Sequence, residues 1–110
     1  MTAPNTISGL LDAAAAAIDA GNRLTAIQAI NYAADEPLAW GWSPVTLPVM
    51  VAFAEHLHID LGPYEHDQGV SGSAVLRLIA MWDHGVAESR GRVARELRAA
   101  AAAERAREAA

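Results

Sequence analysis

All four histidines of this 110-residue chain lie close together in sequence and are interleaved with carboxylates. They occur as Glu55-His56-Leu57-His58-Ile59-Asp60, Glu65-His66-Asp67 and Asp83-His84. Neutral imidazole with carboxylate suits zinc, manganese or iron, and the same groups carry general acid–base catalysis. The spacing argues against both uses. On a helix His56 and His58 stand about 200° apart, whereas His56 and Asp60 at i,i+4 share a face. The weak candidate ligand set is His56, Asp60, His66 and His84, and it follows none of the established ligand spacings. The plainer reading places His56 and His58 near a helix C-terminus, where the helix dipole favours imidazolium, with the acids as solvated loop residues. Cysteine is absent, which removes thiolate metal sites, disulfides and thiol nucleophiles. There is no phosphate-cradling glycine loop, dinucleotide fingerprint or nucleophile elbow. The expectation is a protein without catalytic residues, resident metal or cofactor, and a metal-dependent protein using residues 55–84 ranks third among the readings.

The second set of chemical groups is basic. All eight cations are arginine, and six of them, Arg90, Arg92, Arg95, Arg98, Arg105 and Arg107, fall within residues 86–110 among many alanines. Residues 1–85 carry nine carboxylates and two arginines, a balance of −7, and residues 86–110 carry a balance of +2. Planar guanidinium suits bidentate contact with carboxylate or phosphate. Arg90, Arg92, Arg95, Arg98 and Arg105, with Leu97 between them, are therefore the candidate partner-binding residues. A solvated helix with interspersed glutamates is the plain alternative. The charge division also allows the basic tail of one copy to lie on the acidic body of the next, which would build a dimer or ring.

Two further signals are weaker. Residues 49–82 have the outline of a helix–turn–helix, with Val70-Ser71-Gly72-Ser73-Ala74-Val75-Leu76-Arg77 at the start of the second helix. The intervening link far exceeds the 3–4-residue turn of that motif, and Arg77 is the one cation offered to DNA. Trp40-Gly41-Trp42 lies between prolines, and such indoles are expected to anchor a loop to the core because each ring buries a large apolar area.

Four helices are expected to position these groups. Asn5 or Thr6 can cap the first, which runs to about Ala20 with Gly21 in the C′ place. Its alanine run Ala13 to Ala17 would let another helix approach closely. Asn22 can cap a second helix over 23–34, joined to the first as an αα-hairpin. Ser43 or Thr46 caps a third, ending near His58. Leu47, Val49, Met50, Val51, Phe53 and Leu57 point all around it, the pattern of a buried central helix. A long fourth begins at Ser71 or Ser73, with a kink or break near Gly85 and Gly91 and an i,i+4 pair of Glu88 with Arg92.

Length and composition fit one all-α domain: an acidic body over 1–85 and a basic helical extension over 86–110 that belongs to the same domain. With few large apolar residues to bury, the extension is expected to project from the body. The most apolar stretch, 45–57, is short of the ~20 residues that span a bilayer, and the N-terminus has no signal-peptide pattern, so a cytoplasmic protein without membrane contact is expected. Alanine without lysine is the mark of a high-GC bacterium or its phage. The net charge of −5 weighs against nucleic-acid binding by the whole domain. The leading expectation is a non-enzymatic protein–protein interaction or assembly module acting through the C-terminal helix, on itself as a homo-oligomer or on a partner, in the manner of a phage structural or host-interacting protein. A small nucleic-acid-associated regulator using the same arginines is the alternative.

Overall fold

A computed structural model describes residues 6–21, 23–37, 40–67 and 69–109 of the chain. Helix α1 (Ile7–Asp19) starts where the Thr6 hydroxyl accepts the Gly9 N–H, and it ends before Gly21, whose φ of +93° suits glycine. Helix α2 (Ala26–Ala33) begins later than Asn22 would place it, and Asn22 lies outside the described residues. Thr25 and Gln28 cap it reciprocally: each side chain accepts the other residue's backbone N–H. Helix α3 (Thr46–His56) tolerates Pro48 in its first turn, where no backbone donor is needed. Ser43 and Thr46 order its entry, since the Ser43 hydroxyl accepts from the Thr46 N–H and the Thr46 hydroxyl from the Ser43 N–H.

The chain leaves α3 through left-handed His58, with His58 N–H on Glu55 O and Ile59 N–H on Ala54 O. A 3₁₀ turn (Gly62–Tyr64) follows. It leads into a two-residue hairpin, β1 (Glu65–His66) and β2 (Gly69–Val70), in which Glu65 faces Val70 and His66 faces Gly69. Ser71 caps α4 (Gly72–Gly85). The expected break near the glycines divides the long fourth helix in two. Ser89 caps a separate α5 (Arg90–Glu108). Glu88 is left-handed and outside the helix, so the expected Glu88–Arg92 pair does not form, and the Arg92 guanidinium donates to Val86 O instead.

The all-α expectation agrees with the structure, which has five α-helices among the described residues rather than four. The fifth helix does not project. It lies antiparallel along α1 in the largest helix–helix interface of the chain. Val93, Ala94, Leu97, Ala100 and Ala101 are buried there together with Leu10, Leu11, Ala14, Ala15 and Ile18. The physical reason is that alanine stripes on both helices permit close backbone approach, so small side chains make a continuous packed seam. The radius of gyration, 12.8 Å, is close to the roughly 13 Å of a compact chain of this length and leaves no room for an extended arm.

The rest of the core gathers around Phe53, Met50 and Val49 of α3, Ile27 and Ile30 of α2, and Val75 and Ile79 of α4. Phe53 meets Trp82 edge to face at 5.6 Å. No helix among the described residues is long and apolar enough to cross a membrane.

Candidate functional site

The tail arginines are largely committed within the chain. Arg98 pairs with Asp19, Arg105 with Asp12, and Arg107 with Glu104. Ser8 donates to Glu108 at 2.8 Å, which continues the antiparallel register of the two helices. The Arg105 guanidinium is held above its usual pKa, first by the hydrogen bond to Asp12 and then by that carboxylate's charge. The Arg98–Asp19 and Arg105–Asp12 pairs are solvent-exposed, so they set register more than they add stability, whereas Arg107–Glu104 lies within α5 with its carboxylate buried. The acidic body and basic tail foreseen as complementary across copies are complementary within one.

Arg90 has a different role. Asp83 is buried, accepts the Ala26 N–H at 2.8 Å and is gripped by the Arg90 guanidinium, which also donates to Leu24 O at 2.7 Å. This network ties the α4–α5 junction to the start of α2. Of the candidate partner-binding residues, Leu97 is therefore withdrawn into the core, and Arg90, Arg98 and Arg105 bind the chain's own groups. Arg92 and Arg95 lie on the outer face of α5, where Arg92 donates to Val86 O.

The histidines do not converge. His56 lies 3.7 Å from Glu96, Asp60 accepts from the Gly62 N–H, His66 sits in the hairpin, and His84 borders a cleft with Arg23, Thr25 and Arg90. The His56/Asp60 spacing is broken because the helix ends at His56, before Asp60 is reached. Among the described residues no three histidine or acidic side chains gather where they could hold a metal ion.

The feature that sequence reasoning missed is on α3. That helix is apolar over most of its surface, and its sides are covered unevenly. Val49, Met50, Phe53 and Ala54 are buried, whereas Leu47 and Val51 are half-buried and Pro48 is exposed. The uncovered side forms one wall of an open cleft of about 420 Å³. Pro44, Leu47, Pro48, Val51 and Ala52 make that wall. Ile7 of α1, Glu104 and Arg107 of α5, and Gly69 and Val70 of the hairpin close the other sides, with Glu55 at the end of the α3 wall. Proline at both 44 and 48, each on the outer side of an otherwise apolar segment, was the sequence signal available.

The tryptophans adjoin this wall in sequence and do not sink into the core as expected. Trp40 is 57% exposed, Trp42 41% and Val45 54%. Trp42 rests its indole over Gly72, where a Cβ would come 2.4 Å from Trp42 Cε2. The loop is held from beneath by buried Asn31, whose Nδ2 donates to Gly41 O at 3.1 Å. Gly41, at φ +133°, provides the backbone conformation that this grip requires. The loop is thus fixed through its backbone, and that leaves its large side chains at the surface.

The chain matches no protein-family model, no curated protein and no solved structure, so its function is argued from this geometry alone.

Proposed function

We propose that this protein is a non-enzymatic protein–protein interaction module whose contact surface is the aromatic loop and outer α3 face over residues 40–51. One observation carries the reading: the largely apolar α3 leaves Pro48 exposed and Leu47 and Val51 only half-buried, beside a sequence segment whose Trp40, Trp42 and Val45 are exposed. Helices of that composition are normally buried entirely. Large apolar groups left together at a surface mark a place where another molecule completes the burial. Trp40, Trp42 and Val45, which precede this wall in sequence, are exposed as well, and tryptophan is among the residues that most often dominate binding energy at interfaces.

The choice of this face over the C-terminal helix follows from what each still has to offer. The large apolar residues of α5 and most of its arginines are used within the chain. Its outer strip is alanine with Arg92 and Arg95, a poor anchor for a partner. The cleft's polar groups are Glu55, Glu104 and Arg107, and the last two satisfy one another at 2.9 Å. With Glu104 held by Arg107, Glu55 is left without a second free carboxylate on the cleft to pair with, which favours binding over catalysis. Assembly with a second copy and docking of a different protein are both forms of this activity.

Affinity capture with three versions of the chain tests the reading: the parent, Val51→Glu and Arg95→Glu. A protein retained by the parent and by Arg95→Glu, and lost with Val51→Glu, is the expected result. Loss with Arg95→Glu and retention by Val51→Glu would move the contact to the C-terminal helix and overturn the proposal.

A further inference from the structure

We infer that the cleft beside α3 takes a cationic amphipathic helix of a partner protein, with the partner's apolar side chains on the cleft walls and its Lys or Arg residues on the cleft's acidic rim. The inference rests on the reading of the α3 face as a contact surface and adds the chemical class of what binds there.

Three observations lead to that class. The first is shape. Residues 48 and 52, and 47, 51 and 55, form two i,i+4 rows on the α3 wall, with Pro44 just ahead of the helix. Such rows are the ridges and grooves into which the side chains of another helix pack. Ile7 of α1 and Val70 of the hairpin add apolar surface from two other elements to this open cleft.

The second is charge. Glu55 and Glu104 lie on the cleft and Arg107 is the single cation there. Glu65 does not line the cleft itself, but it stands opposite Val70 in the hairpin, and cross-strand partners project from the same face. Glu55 and Glu65 are both exposed and neither has a counter-ion among the described residues. An occupant that brings cations neutralises these groups, whereas an acidic or neutral one leaves them desolvated without a partner.

The third concerns a second copy as the occupant. The chain carries a net charge of −5, so copies repel. Its own basic helix cannot serve, because Val93 and Leu97, its largest apolar residues, are fully buried against α1. The cationic helix must come from elsewhere.

The test is a backbone-amide chemical-shift titration of the intact chain with two synthetic capped helices of identical apolar face, one leucine/lysine and one leucine/glutamate. The expected result is that the leucine/lysine helix shifts Ile7, Leu47, Val51 and Val70 and leaves Arg95 unmoved. The leucine/glutamate helix should bind at least about tenfold more weakly. The combined change Glu55→Lys and Glu65→Lys should weaken the leucine/lysine helix by about tenfold or more, because two exposed charge contacts become repulsive. Equal binding of both helices in the cleft overturns the charge selection while leaving the α3 face as a contact surface. An absence of shifts at the cleft with either helix overturns the inference, and in-cell crosslinking from Val45 then decides the wider reading separately. Light scattering that finds a discrete multiple of 11.6 kDa, returned to the single-chain mass by Val51→Glu, would place a second copy in the cleft and also overturn it.

Discussion

Leu97→Ala asks whether the C-terminal helix belongs to the body. Leu97 is fully buried in the α1–α5 seam, flanked by Val93, Ala94, Ala100 and Ala101. Truncation removes its transfer energy and leaves a void between two helices whose alanine faces cannot move in to fill it. The cost is about 2–5 kcal/mol, a large share of the roughly 5–15 kcal/mol that holds a domain together. With a urea m-value of about 1–3 kcal/mol/M, the unfolding midpoint should fall by about 1–3 M without a change in slope. The seam's ion pairs serve as the control. A double-mutant cycle on Asp19 and Arg98 should return at most ~1 kcal/mol, because both side chains are about half exposed. Were the helix to project into solvent, Leu97→Ala would be neutral or slightly stabilising, since alanine is the better helix former. A midpoint unchanged within about 0.3 M would refute the packing argument.

Other outcomes follow from particular contacts. Gly72→Ala should displace the Trp42 indole, lower stability by about 1–3 kcal/mol and red-shift the tryptophan emission, because the new Cβ would overlap Cε2. Arg90→Ala should cost more than Asp83→Asn, about 2–4 against about 1–2 kcal/mol in urea unfolding, because the first strands a buried carboxylate and the second leaves a partly exposed guanidinium that water can reach. His58→Gly should be neutral or stabilise by up to ~1 kcal/mol, since φ of +61° strains a residue with a Cβ. A loss of several kcal/mol there would point to a role for the imidazole beyond ending α3.

Much of the framework was legible from local chemistry. Thr6 and Ser71 cap as their hydroxyls suggest, Gly21 sits in its left-handed place, and the glycines at 85 and 91 bracket the α4–α5 break. Helix α5 is buried against α1 although it has few large side chains, because alanines on both helices let the backbones approach closely. The alanine run on α1 invites close approach, but the helix that accepts it, with its own alanines at 94, 100 and 101, lies far along the chain. Composition does not reveal such pairing, although the spacing of the charges does in retrospect: Asp12 and Asp19 are seven residues apart, as are Arg98 and Arg105. The cleft was hidden for the opposite reason. An all-round apolar helix with tryptophans beside it reads as core, and only the arrangement of the neighbouring elements decides which side is covered. The loop's attachment through Asn31 and the Gly41 carbonyl is a tertiary contact without a sequence signature.

The most direct measurement of the central claim is in-cell photo-crosslinking from two positions, with a photoreactive phenylalanine derivative in place of Val45 or of Arg95. The contact-surface account predicts a discrete protein adduct from Val45 that Val51→Glu abolishes, and none from Arg95. An adduct from Arg95 with none from Val45 would contradict it, and would return the contact surface to the C-terminal helix.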